Sequence, residues 1–189
     1  MLRAHRASIL HFLGDPDKVP LEQAYEYFED GILIVDGDQS VQVGAAETLL
    51  LSLGDDTDLI EHTNKLIMPG FIDTHVHYPQ TEMIGAYGEQ LLDWLEKYTF
   101  PVEAQFADAA YARDIADRFL NELLRAGTTT ALVFGTVHKE SVDSFFEACE
   151  ERNLRMIAGK VMMDRHAPDT LTDTPESSYH DSKQLIEKW

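Results

Sequence analysis

Cysteine is nearly absent from this chain. Cys149 is the one thiol in 189 residues, so no disulfide can form within the chain, and a reducing cytoplasm fits the composition. Basic residues are also scarce. Fifteen Lys plus Arg face 34 Asp plus Glu, a formal net charge of −19. Such a surface repels phosphate backbones and anionic membranes, which sets nucleic acid and lipid aside as partners and leaves small neutral metabolites. No apolar run approaches the roughly 18 residues of a membrane span. The opening segment carries Arg3 and Arg6 but continues through polar groups, including His11 and Asp15, and does not read as a signal peptide. Internal repeats and low-complexity tracts are missing too. What is present suffices for a globular core: 44% hydrophobic residues and 26% charged, the balance of an ordered chain.

Residues 1–65 read as short strands. Ala4 to Phe12 is followed by a turn at Asp15-Pro16-Asp17-Lys18. Tyr25 to Val35 ends in the apolar run Gly31–Val35, and Asp36-Gly37-Asp38 then signals a hairpin back through Val41 and Val43. The character changes near Lys65. Leu66 to His77 reads as one buried strand whose last residues emerge at a rim. Leu91 to Tyr98 is a short helix. Asp108 caps a helix running to Ala126, with Ala112, Ile115, Ala116, Phe119 and Leu123 on one stripe. Gly127 suits the left-handed residue that ends it. Thr128 to Phe134 is a strand, Ser141 to Arg152 a helix, and Leu154 to Met163 a strand. A polar loop then leads to a last helix opened by Pro175 behind Thr174. The order β, α, β, α, β, α over 66–189 argues for a parallel sheet or barrel of βα units.

The sharpest chemical feature is His75-Val76-His77. Strand residues two apart share a face, so both imidazoles project from one side and can occupy two corners of a zinc site. Their place also fits, because parallel-strand barrels gather function where strands end. The bland alternative is a pair of polar strand-end residues.

Met68-Pro-Gly-Phe-Ile-Asp-Thr-His-Val-His77 resembles the signature that closes the first barrel strand of the amidohydrolase superfamily, and Arg125-Ala-Gly-Thr-Thr-Thr130 resembles the entry into its second. The resemblance implies the first part of a distorted (βα)8 TIM-like barrel, residues 66–189, preceded over 1–65 by strands of a small β-sandwich domain. Within the superfamily, His77-Tyr-Pro-Gln80, Leu91-Leu-Asp-Trp-Leu-Glu-Lys-Tyr-Thr-Phe-Pro-Val-Glu103 and Gly159-Lys-Val-Met-Met-Asp164 look like the guanine deaminase branch. That branch implies hydrolytic deamination of guanine to xanthine and ammonia. It implies one Zn2+ per site, with iron as an alternative, held in part by His75 and His77. Gln80 would contact the purine, and a homodimer is implied at full length. The branch draws its other ligands, its proton-shuttling Glu and an Arg-Phe pair on guanine from later strands. None of these can be placed here, so the expectation is an incomplete barrel, inactive alone. Nearest rivals are another amidohydrolase (a different base deaminase, a ring-amide hydrolase or a chlorohydrolase) and a non-catalytic binding fragment.

Beside the pair stand weaker candidates. Gln80 offers donors and an acceptor to a purine's mixed edge. Trp94 could wall a pocket for a flat base, although Leu91, Leu95 and Tyr98 at helical spacing argue for core. His138 lies just past the second barrel strand and is a pocket candidate. Lys160 is read as structural, Cys149 as core, and His166 and His180 as solvent-facing. The unrelated deaminase design with a Pro-Cys-X-X-Cys zinc pair is excluded, since one cysteine cannot supply it.

Overall fold

The computed structural model describes residues 2–189, which form two compact units, 2–69 and 70–189. No helix among them is long and apolar enough to cross a membrane.

The first unit is one four-stranded sheet of order β3-β2-β1-β4. Strands β1 (Leu2–Phe12) and β2 (Tyr25–Asp36) pair antiparallel, with Ala4 opposite Ile34 and a bulge between Ala7 and Ile9. Strand β3 (Gln39–Ala45) returns from the hairpin at Gly37, whose φ of 61° is the left-handed conformation such a turn needs. Strand β4 (Asp58–Ile67) runs parallel to β1. Two single-turn helices, α1 (Leu21–Ala24) and α2 (Ala46–Leu49), fill the connections. The core is small: Ala4, Ile32, Ile34, Ala46 and Leu49, with Leu53 packed on it.

The second unit opens with β5 (Phe71–His77), followed by a 3-10 turn over Tyr78–Met83. A bent helical stretch comes next: α3 (Leu91–Trp94), a π-helical turn (Leu95–Thr99) and α4 (Phe100–Glu103). Pro101 lies just past the π turn, where its missing N–H removes one regular helical bond. Then come α5 (Ala109–Arg125), β6 (Thr128–Phe134), α6 (Lys139–Glu151), β7 (Arg155–Gly159) and α7 (Pro175–Lys188). The three strands are parallel in the order β5-β6-β7, the βα alternation of a partial barrel. His77 pairs with Phe134, and Phe134 with Gly159, so all three lie at the C-terminal rim.

Local chemistry explains the boundaries. Asp108 accepts from the backbone N–H groups of Ala110 and Tyr111 and so caps α5. Thr174 and Ser177 form a reciprocal capping box at α7. Gly127 ends α5 with φ 83°. Gly70 is required by close approach, because a Cβ there would meet the Thr129 side chain at 2.1–2.8 Å.

Three expected elements change. Leu66 to His77 is two strands, β4 and β5, broken at Met68-Pro69-Gly70, since Pro69 cannot donate to a ladder. Nor is the second part buried: Phe71 is 55% and Ile72 69% exposed. β5 is an edge of its sheet and only one face packs on the core. The helix expected over Leu91 to Tyr98 continues to Glu103 through the π turn. The strand expected over Leu154 to Met163 stops at Gly159, because Lys160 turns inward to pair with Asp173 and the Val161 N–H bonds to the Thr136 carbonyl.

The core of this unit is aromatic: Tyr78, Phe106, Phe119 and Phe145 pack with Ile115, Leu120 and Val133. The Tyr78 and Phe145 rings stack at 4.9 Å, and Tyr78 meets Phe106 edge-on at 5.3 Å. Cys149 is buried among them, and burial pushes its thiol up to about 12. Phe145 is fully buried, so Phe145→Ala lowers stability by about 3–5 kcal/mol. Urea unfolding followed by far-ultraviolet circular dichroism measures it, and a loss under about 1 kcal/mol would contradict this account of the core.

Candidate metal centre

The candidate centre is built on the step from β5 into the turn that follows. Tyr78, directly after His77, is buried, and its hydroxyl donates to the Ser141 carbonyl at 2.5 Å. Pro79 is buried beside it. Thr81 closes the turn by donating from Oγ1 to the Tyr78 carbonyl at 2.6 Å. The backbone on both sides of Gln80 is thereby held from the core.

His75 and His77 project together as their spacing requires, with Nε2 atoms 3.2 Å apart and ring centroids 5.2 Å apart. Two nitrogens on one tetrahedral zinc, each at about 2.0–2.1 Å, lie roughly 3.3–3.4 Å from one another. The pair is therefore preset to share one ion through Nε2. The pairing of β5 with β6 is irregular between Asp73 and Val76, and His75 falls in that interval. Asp73 accepts the His75 backbone N–H at 3.0 Å and fixes the irregularity. Burial, and next the neighbouring His75, hold the His77 pKa below its ordinary value. A neutral imidazole is the form that binds a metal.

Phe134 backs both rings. It stacks on His77 at 4.6 Å with 9° between planes, and meets His75 at 4.9 Å. On the other side, the Gln80 amide nitrogen lies 3.4 Å from His77 Nδ1 and donates to Glu103 Oε1 at 3.3 Å. Glu103, at the end of α4, is 8% exposed and has no cationic partner among the described residues. Burial raises its carboxyl pKa, and the bond from Gln80 only partly opposes this.

His75, His77 and Gln80 are thus brought together. Trp94, half-buried on α3, and His138, the residue before α6, make no hydrogen bond or ring contact with them. Within the His138 side chain, Nε2 is buried without a partner, and burial lowers its pKa. Two members of the cluster were not singled out by sequence. Phe134 could have been found by aligning the ends of the first two barrel strands. The signal for Glu103 was its place at the end of the Phe-Pro-Val-Glu103 segment. Among the described residues, no third His, Cys, Asp or Glu joins the pair to complete a metal site. The donor set fits half of a zinc centre.

Lys160 is elsewhere at the rim and is occupied. Its ammonium is buried against Asp173 and also donates to the Val161 carbonyl at 3.1 Å. His166 and His180 face solvent.

Residues 66–189 match the amidohydrolase family, and the chain belongs to it. Its similarities within that family are specific. It is 51% identical to the guanine deaminase of Escherichia coli over 191 residues, covering all of this chain and 43% of that protein. The solved E. coli guanine deaminase superposes with a TM-score of 0.92 at 52% identity, over 99% of this chain and 44% of that one. A guanine deaminase from C. acetobutylicum with guanine bound in its active site superposes with a TM-score of 0.82 at 28% identity, over 100% and 43%. The chain thus spans less than half the length of the relatives it matches.

The Lys160–Asp173 pair gives a pH prediction. The Asp173 carboxyl lies below its ordinary 3.8: burial works against this, and the bonds from Lys160 and Ser178 override it. A depressed acid pKa stabilises the fold above the unfolded value and loses that contribution as pH falls through the folded one. Asp173→Asn is therefore less stable than the parent at pH 7, by about 3 kcal/mol for a broken buried pair. That difference narrows as pH falls below about 4. Denaturant titrations at several pH values measure it, and a difference independent of pH would refute it.

Proposed function

We propose that this chain is part of a zinc-dependent guanine deaminase, which converts guanine and water to xanthine and ammonia. One observation carries the reading: the His75 and His77 nitrogens converge at zinc-ligand spacing with Gln80 against them, in a chain half identical to a guanine deaminase. The bound guanine of the C. acetobutylicum relative supports the choice of substrate.

His75 and His77 would hold the metal through Nε2, and zinc supplies, when bound, a lowered pKa for water, toward about 7. The remaining work of this chain is orientation. Phe134 fixes both rings from behind. Gln80 holds the base by its carboxamide, which can meet donor and acceptor positions of a purine. Asp73 and Tyr78 fix the backbone on either side of the pair. The further ligands and the acid that moves protons to the ring and to departing ammonia come from outside these 189 residues. The four-stranded sheet of the first unit belongs, in this reading, to a small β-sandwich domain.

At natural length, His75→Ala or His77→Ala removes a ligand, and zinc content falls from about one per site toward zero. Guanine turnover falls at least about a hundredfold with it. Metal analysis and the ultraviolet change from guanine to xanthine measure both. Full zinc and full turnover in either variant would refute the assignment.

A further inference from the structure

Among the described residues, Glu103 is a buried carboxyl without a cation, and its side-chain hydrogen bond is to Gln80. The chemistry of that contact depends on His77. If His77 Nε2 takes a metal, the ring proton must sit on Nδ1, which then needs an acceptor. The atom facing Nδ1 at 3.4 Å is placed as the Gln80 amide nitrogen, a donor. Nitrogen and oxygen of a carboxamide exchange places by a half-turn, with little change in shape. With the oxygen turned to His77, the same atom faces Glu103 Oε1 across 3.3 Å. Two carboxyl-type oxygens attract at that distance only if one carries a proton.

We propose that Glu103 is a positioning residue: as a neutral acid it donates to the Gln80 carboxamide oxygen, which also accepts from His77 Nδ1–H, so that the amide NH2 is turned toward the ligand. The arrangement couples two functions through one oxygen. It fixes the tautomer that leaves His77 Nε2 free for a metal. It also decides that Gln80 presents donors, so the site selects a ring edge bearing acceptors. With an ionised Glu103 the amide would turn the other way, showing its oxygen to the ligand and leaving His77 Nδ1–H without an acceptor. Burial favours the neutral acid.

The inference rests on the proposed deaminase reading, and the test separates the two. The protein at natural length is compared with Glu103→Gln, Glu103→Met, Gln80→Ala and the Glu103→Met/Gln80→Ala double variant. Gln and Met match Glu in size, so both keep the packing around α4. Zinc affinity is read by competition with a chromophoric chelator, and KM and kcat are read on guanine. Glu103→Met weakens zinc binding about tenfold and raises KM more than it lowers kcat. Glu103→Gln, whose NH2 donates as the acid does, restores both to within about threefold of the parent. In the Gln80→Ala background, Glu103→Met changes neither any further. If Glu103→Gln is as damaging as Glu103→Met, the ionised carboxylate is the working form and the proposal falls. If the effects of Glu103→Met and Gln80→Ala add in full, Glu103 does not act through Gln80 and the proposal also falls. A parent protein that binds zinc yet leaves guanine untouched sinks the deaminase reading alone, and the zinc affinities then decide on Glu103 by the same criteria.

Discussion

The burial of Tyr78 is the constraint on which the second unit depends. Its ring is packed among Phe106, Phe119 and Phe145, and its hydroxyl is tied to the Ser141 carbonyl. It is also the residue that follows His77. The aromatic core and the candidate metal centre are therefore one residue apart along the chain. A side chain this deeply packed has few alternative positions, so the backbone leaving β5 is fixed where the imidazoles emerge. Rigid support of this kind keeps the two histidines at ligand spacing.

Each face of the His pair is then furnished differently. Phe134 lies flat against His77 from the next strand, a contact set by the parallel register that pairs those two residues. Gln80 comes from the turn and Glu103 from the end of α4. The set is a metal-facing edge, an apolar backing and a polar arm. Lys160 plays no part in it. Its pairing with Asp173 ties the segment after β7 to the approach to α7. Breaking this buried pair would leave the Lys160 ammonium without its carboxylate, so the pair also holds the loop geometry that brings the two together.

Much of this was legible before the fold was seen. The βα alternation, the caps at Asp108 and Thr174, the left-handed Gly127 and the hairpin at Gly37 follow from local rules that act over three or four residues. The His-X-His spacing gave a shared face for the same reason. Less legible was where strands end. An apolar run from Leu66 to His77 reads as one buried strand, and neither the break at Pro69 nor the exposure of Ile72 can be read from hydropathy. Hydropathy records what a residue tolerates, not which of its faces finds a neighbour.

The sequence by itself determined the order of elements, the paired imidazoles and the membership of the amidohydrolase family, because each is carried by residues close together in the chain. Only the tertiary structure decided that Phe134 stacks on His77, that Glu103 reaches Gln80 from 23 residues away, and that Lys160 is taken by Asp173. Those contacts join segments whose separation is fixed by packing, and packing depends on the shapes of many side chains at once.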